Sequence, residues 1–492
     1  MKYINRINSL GLVAMLLSSC VSIDEKPDSY QTSNAFYKNE SDAIGAVTAV
    51  YSALTNGTDN LTLYNRGIQV ATEMSTDDSN AGPRAGNANV QALSNLTNDA
   101  SNDRQESIWR DSYNLINYAN IAIDNIAKIP SENINESVRQ RSINEAKFLR
   151  ALAYFNLVRW FKYVPLVLHE TTTLSSSSLN VSQASEEEVY AQIIKDLQDA
   201  EALPSPKDYK SVDAGRASSG SAKALLAKVY LTREDWKLAA DKAKEIIDNS
   251  WYDLFPNFSD VFDKATKNGI EHIFSIQFKG ETGSIHRLAF ASTPYGLEGI
   301  SGNYTDAVNL QSDLYGSFSV NDTRKAVTFT TQYVSPATGI VYTVDEPHFC
   351  KYYDPTAVGG QNNSSRNIPV LRYAEVLLIY AEALNELNGP TKEAYAAVDR
   401  VRARAGIETL TAENPNLSKE DFREAVFQER RKEFVSEYKR WFDLSRRGAA
   451  YYVAKLKAAG KKNAQPKHIH FPIPQRELDL NPNLHQNPDW AN

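Results

Sequence analysis

Residues 145–160 read EAKFLRALAYFNLVRW, and this stretch decides the fold. At 3.6 residues per helical turn, Phe148, Leu152 and Phe155 form one apolar stripe, and a second apolar row lies beside it. A helix with so wide an apolar face is buried between neighbours instead of lying on the surface. The stretch therefore predicts a mainly α-helical body in which this helix packs between others.

Outward from this helix, two segments predict pairs of helices joined by very short turns. One pair covers 218–249, and the other covers 371–405 and is broken at Asn388-Gly389-Pro390. Alanines such as Ala227 and Ala383 occupy the contact positions and allow close packing. Pairs of about 34 residues with this pattern are typical of degenerate tetratricopeptide-type repeats. Further helices are predicted over 41–54, 108–129, from Glu186, and over 418–447.

The segment from about 250 to 365 interrupts the helical pattern as a long irregular insertion. Phe274, Ile276 and Phe278 alternate as in a strand, and 327–334 can pair with 340–344 as a β-hairpin. Residues 251–354 contain 18 of the 50 aromatic residues of the chain. We therefore expect some of these rings, on loops rich in Gly, Pro and Asn, to face solvent.

The N-terminus has the pattern of an exported protein. Lys2 and Arg6 precede an apolar run over 7–17. At about 1.5 Å per residue, this run is too short to cross a bilayer core of about 30 Å. We therefore predict a signal peptide over residues 1–19.

The run closes on Leu16-Leu17-Ser18-Ser19-Cys20, which resembles a bacterial lipobox. The pattern predicts an acylated Cys20 as the first mature residue, followed by a solvated leash over 20–40 and a single domain over 41–492. The alternative is an ordinary cleaved signal with a stray cysteine nearby.

The composition excludes several function classes. The chain holds 53 basic and 60 acidic residues, and the resulting net charge of −7 argues against a protein that tracks nucleic-acid phosphates. Cys20 and Cys350 are the only cysteines, so acylation of Cys20 leaves no intrachain disulfide, and a Cys-rich zinc site is excluded.

Two loop-rich segments, 64–109 and 251–318, carry the side chains that would bind a sugar. The first includes most of the polar, Gly- and Asn-rich region 56–103, which is predicted to be irregular. A sugar offers a flat C–H face for aromatic stacking and a rim of hydroxyls for polar side chains. We predict polar contacts from Asp77, Asp78 and Arg84, and stacking by some of Trp109, Trp251, Tyr295, Tyr304 and Tyr315.

For each of these residues, the competing interpretation is a core ring or a solvated charge. A peptide ligand would bind the same loops through backbone hydrogen bonds, so that the rings would matter less.

Arg430 falls on the same predicted helix face as Phe434, so its guanidinium is expected to lie against the core. A buried guanidinium needs a carboxylate, and Glu433, Glu375 or Glu382 could supply it. The expected result is a structural ion pair and not a catalytic group.

Four motifs, in this order along the chain, resemble the SusD/RagB family of Bacteroidetes surface lipoproteins. They are EAKFLRALAYF at 145–155, RYAEVLL at 372–378, ERRKEF at 429–434 with RWFDL at 440–444, and PIPQRELDLNPNL at 472–484. The chain departs from the family at Lys162-Tyr163, where Gly-Asp is common, and at Tyr438, where glycine is common. Both departures are expected to lie in the helical scaffold.

The resemblance implies a SusD-like fold with four tetratricopeptide-like units and an irregular face that binds nutrients, commonly glycans. It also implies a lipid-anchored position on the outer membrane and a partner, a SusC-like TonB-dependent transporter on which the lipoprotein sits as a lid. No cofactor and no metal site are implied. The motifs all belong to the scaffold, so no ligand residue can be transferred by motif.

Two other functions are weighed against nutrient binding. The chain has no His-Glu-x-x-His, Gly-x-Ser-x-Gly or P-loop motif, and so an enzyme is not predicted. A surface glycoside hydrolase needs only two carboxylates, which the acidic residues could supply. A surface repeat scaffold that binds peptide or protein is the other alternative.

Overall fold

Paired α-helices form most of the molecule, as the sequence predicted. The computed structural model describes residues 36–55, 63–173, 175–280, 286–355 and 364–491, so the predicted signal peptide and Cys20 lie outside the described residues. The helices are α1 (Glu40–Ser52), α2 (Ile68–Glu73), α3 (Ala88–Asn95), α4 (Asp103–Ile126), α5 (Glu136–Phe161), α6 (Ser176–Leu179), α7 (Glu186–Ala200), α8 (Ser219–Thr232), α9 (Trp236–Asn249), α10 (Leu288–Ser292), α11 (Leu314–Ser317), α12 (Arg324–Thr328), α13 (Tyr373–Asn388), α14 (Lys392–Arg404), α15 (Leu410–Glu413), α16 (Lys419–Glu433), α17 (Arg440–Arg446), α18 (Ala449–Ala458) and α19 (Gln475–Leu480). The strands are β1 (Ser79–Ala81), β2 (Val164–Pro165), β3 (Gln183–Ala184), β4 (His272–Ile276), β5 (Asp306–Val308), β6 (Phe329–Val334), β7 (Val341–Phe349) and β8 (Ile368–Arg372).

The helix predicted over 145–160 lies at the buried centre of this arrangement. It forms part of α5, in which 19 of 26 residues are buried. It packs against α1, α4 and α7, so neighbours cover most of its circumference. Asn135 caps its first turn by accepting a hydrogen bond from the backbone N–H of Ser137. The wide apolar face therefore has the burial that its sequence predicted.

Both predicted helix pairs are present. Three residues separate α8 from α9, and three separate α13 from α14. Ala227 and Ala383, which were predicted to lie at the contacts, are fully buried. In addition, α9 packs against α13 although the insertion lies between them in sequence. The two pairs therefore stack into one helical body.

The hydrophobic core is continuous through this body. One cluster of buried apolar side chains includes residues from Ala43 to Leu484, and it takes in β4 and β8 of the insertion. This continuity supports the proposal that residues 41–492 form one domain.

The insertion has the mixed architecture that was predicted. β4 pairs antiparallel with β8, and β6 pairs with β7 as a hairpin in which Val334 lies opposite Val341. Among the described residues between 250 and 372, no helix exceeds five residues.

The helices predicted over 418–447 are present as two, with a turn between them. α16 ends at Glu433 and α17 begins at Arg440, and between them Tyr438 has a φ of +62°. Lys162, directly after α5, has a φ of +64°. Glycine adopts positive φ without a steric penalty, which explains why the resembled family commonly has glycine at both positions. Both residues lie in the helical scaffold, at points where a helix has ended.

The described part of residues 56–103, the segment predicted as an irregular polar loop, is also largely ordered and buried. It contains α2, β1 and α3, and every residue from 63 to 79 except Arg66 is buried. Its polar side chains are paired inside the protein, as Thr72 shows by donating its hydroxyl to the carbonyl of Ile68 at 2.6 Å. Polar composition predicted solvent exposure here, whereas internal hydrogen bonds make burial possible.

A buried ion network joins the insertion to the helical body. The carboxylate of Glu433, at the end of α16, pairs with Arg324 at 3.1 Å, with Arg372 at 2.5 Å, and with Arg404. Glu271, before β4, accepts from both Arg372 and Arg404 at 2.8 and 2.9 Å. Burial alone would raise the pKa of Glu433, but the three guanidinium groups outweigh burial and hold its pKa well below the usual range.

Arg430 forms the structural ion pair that the sequence predicted. Its Nε lies 3.0 Å from Asp443, and its Nη2 lies 3.5 Å from Glu375, one of the three predicted partners. The other two candidates pair elsewhere, Glu433 as described and Glu382 with Arg446.

We expect the substitution Glu433→Gln to lower the free energy of unfolding by about 3 to 5 kcal/mol, because it leaves buried guanidinium groups without their shared counter-charge. Glu420→Gln on the same helix is the matched control, since Glu420 is 74% exposed and 3.9 Å from Arg423. The control is expected to change stability by less than about 0.5 kcal/mol. Denaturation by guanidinium chloride measures the free energy of unfolding of both variants. An equal loss of stability in the two would contradict the proposed role of the network.

Candidate functional site

Three of the predicted site residues, Arg84, Tyr295 and Tyr304, meet at one end of the β1–β5 pair. The antiparallel register places Ala81 opposite Asp306. Beyond this point the chains stay together, because the N–H of Gly82 donates to the carbonyl of Thr305 at 2.7 Å. The N–H of Arg84 likewise donates to the carbonyl of Tyr304 at 3.3 Å. The two loop-rich segments singled out from the sequence are thus joined by backbone hydrogen bonds.

Two glycines allow the loops to approach so closely. A Cβ on Gly82 would lie 2.3 Å from the carbonyl oxygen of Tyr304, and a Cβ on Gly302 would lie 2.2 Å from that of Pro294. Neither distance is possible for a real side chain, so these positions need glycine for the close backbone approach.

Tyr295 presents its ring to solvent with Arg84 beneath it. The ring is 60% exposed, and the guanidinium carbon of Arg84 lies 3.6 Å from the ring centroid. The Nε of Arg84 donates to Oδ1 of Asn303 at 3.3 Å, which holds the guanidinium in place. The cation covers one face of the ring, and the exposure of Tyr295 leaves ring surface on the other side available for stacking.

Tyr304 is half-buried beside this pair in a strained conformation. Its φ is +45°, a region that costs a non-glycine residue about 1 to 2 kcal/mol. Its ring lies 4.1 Å from that of His348, and its hydroxyl donates to Glu346 at 3.3 Å. Burial and the Glu346 carboxylate raise the pKa of Tyr304 to about 12, so the hydroxyl stays protonated at neutral pH.

A cavity of about 330 Å³ adjoins these residues, and Arg84 and Asn303 line it. The lining also has apolar side chains, including Val70, Val90 and Phe290. Among the described residues that line it, the charged ones are the four arginines Arg66, Arg84, Arg104 and Arg287.

Asp77 and Asp78, which were predicted to give polar contacts to a sugar, are not among the residues that line this cavity. Both are buried, Asp77 with Arg440 at 2.6 Å and Asp78 with Arg431 at 2.5 Å. Burial alone would raise the pKa of Asp77, but Arg440 and Arg431 outweigh burial and keep its pKa below the ordinary value. Since both carboxylates are occupied by arginines, we assign them a scaffold role at the start of β1.

The other three predicted rings lie apart from Tyr295. Trp109 is 3% exposed and packs against Tyr113 and Phe161 with ring centroids about 5 Å away, so it is a core ring. Tyr315 is partly buried, edge-on to Phe329 in a small satellite cluster.

Trp251 is half-buried and lines a different cavity of about 370 Å³, together with Tyr209 and Tyr252. That cavity shares no lining residue with the one beside Tyr295.

Sequence reasoning missed four residues of this cavity: Arg66, Arg104, Arg287 and Asn303. All four lie in the two segments that the sequence analysis selected. However, nothing in a sequence distinguishes an arginine that pairs inside the protein from one that lines a cavity. Only the three-dimensional position of the side chain separates the two kinds, since Arg66 lines the cavity and also pairs with Asp306.

The described ranges lack two further features, a membrane-spanning helix and a metal-binding cluster. No helix there has the length and hydrophobicity of a membrane span. The same residues include no group of three or more His, Cys, Asp or Glu side chains arranged to hold a metal ion.

Comparison with known proteins finds relatives over nearly the whole chain. The profile described as "SusD family" matches residues 343–490, and the profile described as "Starch-binding associating with outer membrane" matches residues 23–231. The SusD-like protein P2 of Formosa agariphila is 30% identical over 470 aligned residues, which cover 88% of this chain and 89% of that protein.

Solved structures have the same architecture. A SusD homologue from Bacteroides thetaiotaomicron is 25% identical with a TM-score of 0.79, and the match covers 93% of this chain and 98% of that one. A structure described as a laminarin binding SusD-like protein is 28% identical with a TM-score of 0.76, and the match covers 92% and 100% of the two chains.

Two of the three carboxylates that pair with Arg431 test the scaffold role of Asp78. Asp78 is buried, whereas the side chain of Asp313 is 80% exposed at 2.7 Å from the same guanidinium. We expect Asp78→Asn to lower the free energy of unfolding by about 3 to 5 kcal/mol. Asp313→Asn is expected to lower it by less than about 1 kcal/mol. If Asp78→Asn instead kept its stability and lost glycan binding, Asp78 would be a ligand contact.

Proposed function

Since the chain belongs to the SusD family, we propose that it is a glycan-binding lipoprotein of the outer-membrane surface. The observation that carries this proposal is the exposed ring of Tyr295, held on Arg84 beside the strained Tyr304. The profile described as starch-binding and the laminarin-binding relative support it.

The geometry suits a sugar for two physical reasons. The free face of Tyr295 can stack on the flat C–H face of a sugar ring, and the exposed position of that ring leaves room for a long chain of sugars. Arg84, Asn303 and the protonated hydroxyl of Tyr304 can bond ring hydroxyls at the edge. An aromatic platform with polar groups around it therefore supplies both kinds of contact.

The same surroundings favour binding over hydrolysis. Glycoside hydrolysis needs two carboxylates that flank the scissile bond, about 5 to 10 Å apart. The described residues that line the cavity beside Tyr295 include no Asp or Glu, and the carboxylate of Glu346 nearby accepts a hydrogen bond from the hydroxyl of Tyr304. A binding protein and not an enzyme is accordingly the function we propose.

The proposal includes the partner and the anchor that family membership implies. The bound glycan would be delivered to a SusC-like TonB-dependent transporter on which this protein sits as a lid. Acyl chains on Cys20 would hold the protein at the membrane, because stable anchoring takes more than one chain and each buried methylene contributes about 0.8 kcal/mol. Cys20 lies outside the described residues, so the proposal for the anchor rests on the sequence pattern.

Tyr295→Ala tests the binding surface. Titration calorimetry against a glycan panel that includes laminarin oligosaccharides should show an affinity about tenfold weaker or more, equivalent to about 1.4 kcal/mol of lost stacking. Tyr118→Ala is the matched control, because Tyr118 is a 49% exposed tyrosine on α4. The control should stay within about twofold of the wild type. An unchanged affinity for Tyr295→Ala would move the site elsewhere, for example to the Trp251 cavity.

Cys20→Ala tests the anchor. The variant should fold with an unchanged melting temperature and should leave the outer-membrane fraction for the soluble fraction. A strain without the transporter is used, so that docking on the partner does not retain the protein. Continued sedimentation of the variant with outer membranes would contradict lipid anchoring at Cys20.

A further inference from the structure

The cavity beside Tyr295 concentrates positive charge in a chain that is acidic overall. Its lining includes four arginines and, among the described residues, no Asp or Glu, although the formal net charge of the chain is −7. The arginines are therefore a local feature and not part of a generally basic surface. Like charges held together raise the free energy unless counter-charges lie nearby.

Only part of this charge is compensated from within the protein. Arg66 binds Asp306 through two nitrogens, of which Nη2 lies 2.8 Å from Oδ1. Arg104 has a weaker partner, since its Nε is 3.6 Å from Asp103, whose side chain is 50% exposed.

Arg84 and Arg287 have no carboxylate within ion-pair distance among the described residues. Arg84 is engaged by the ring of Tyr295 and the amide of Asn303, which are both uncharged. Arg287 is fixed through its backbone, where its N–H donates to Oδ1 of Asn65 at 3.0 Å. Two guanidinium charges of the cavity are therefore uncompensated by the described part of the chain.

Two arginines of this cavity also have unused hydrogen-bond donors. The Nε atoms of Arg104 and Arg287 are buried and have no acceptor among the described residues. A buried donor without an acceptor raises the free energy of the arrangement.

Arg84 connects this charge to the stacking surface. It lines the cavity and also lies directly beneath the Tyr295 ring. A glycan with one sugar stacked on Tyr295 and a chain that passes the edge of the ring can therefore place a neighbouring sugar at the arginines. The apolar side chains of Val70, Val90 and Phe290 line the same cavity and can cover the C–H face of a neighbouring sugar.

We propose that the protein takes an acidic glycan, and that this cavity binds a sulfate or carboxylate group carried by the sugar. The inference rests on the proposed function and adds the substrate class. A planar guanidinium donates two parallel hydrogen bonds to either group, and charge-assisted bonds of this kind are the strong ones. The two anions share this chemistry, and the experiment separates them.

The experiment compares each acidic glycan with its own neutralised form. Titration calorimetry uses sulfated oligosaccharides from carrageenan and fucoidan with their desulfated forms, and oligogalacturonate with its carboxyl-reduced form. We expect at least one acidic form to bind about tenfold more tightly, or more, than its neutralised counterpart. If the sulfated probes show this difference, the bound anion is a sulfate. If the carboxylated probes show it, the bound anion is a carboxylate.

Variants then assign the effect to the cavity. Arg287→Ala should weaken acidic-glycan binding about tenfold or more and leave the neutralised form within about twofold. Arg287→Lys, which keeps the charge and loses the paired hydrogen bonds, should give an intermediate affinity. Lys237→Ala is the charge-matched control, because Lys237 is 76% exposed and pairs only with Asp241 on its own helix. Melting temperatures check that each variant is folded.

The outcomes separate this inference from the proposed function. Equal binding of acidic and neutralised forms, with loss of both in Tyr295→Ala, overturns the acidic specificity and leaves glycan binding in place. Binding of an acidic peptide as tight as that of the acidic glycan also overturns it, because the cavity would then accept any anion. Binding by none of the glycans overturns both proposals.

Discussion

One buried carboxylate, that of Glu433, holds the insertion on the helical body. Three guanidinium groups from three different elements converge on it: Arg324 of α12, Arg372 at the end of β8 and Arg404 at the end of α14. A buried charge without its partner costs several kcal/mol, and Glu271 supplies a second carboxylate to Arg372 and Arg404, so the arrangement that brings these groups together is favoured. Hydrophobic burial drives the helices together, and the ion network fixes where the irregular insertion lies on them.

The same region of the chain positions the binding surface. Arg431 and Arg440 flank the interruption between α16 and α17, and they pair with Asp78 and Asp77 directly before β1. β1 in turn pairs with β5, and the continuing backbone bonds bring Arg84 to Tyr304. The exposed ring of Tyr295 thus rests on a loop whose position is set by buried charges in the scaffold. These buried ion pairs therefore connect the helical scaffold to the loop that carries Tyr295.

Sequence patterns predicted the scaffold better than the site, for a physical reason. Helical periodicity and a strand alternation depend on neighbours in sequence, and so α5, the two helix pairs and the β6–β7 hairpin could be predicted. The fate of a charged side chain depends on partners far away in sequence. Asp77 and Arg84 lie in one polar segment, yet one is buried against Arg440 and the other lies beneath an exposed ring. The positive φ of Tyr438 was not predicted either, because no residue pattern next to it in the sequence indicates this backbone conformation.

The Tyr295 platform and the arginine cavity are proposed to form one site for an acidic glycan. A crystal structure with a bound acidic oligosaccharide tests this most directly. We expect this structure to contain a sugar ring stacked on the free face of Tyr295, with a sulfate or carboxylate within hydrogen-bond distance of Arg84 or Arg287. A glycan bound in the Trp251 cavity, or one on Tyr295 whose acidic groups all point to solvent, would contradict it.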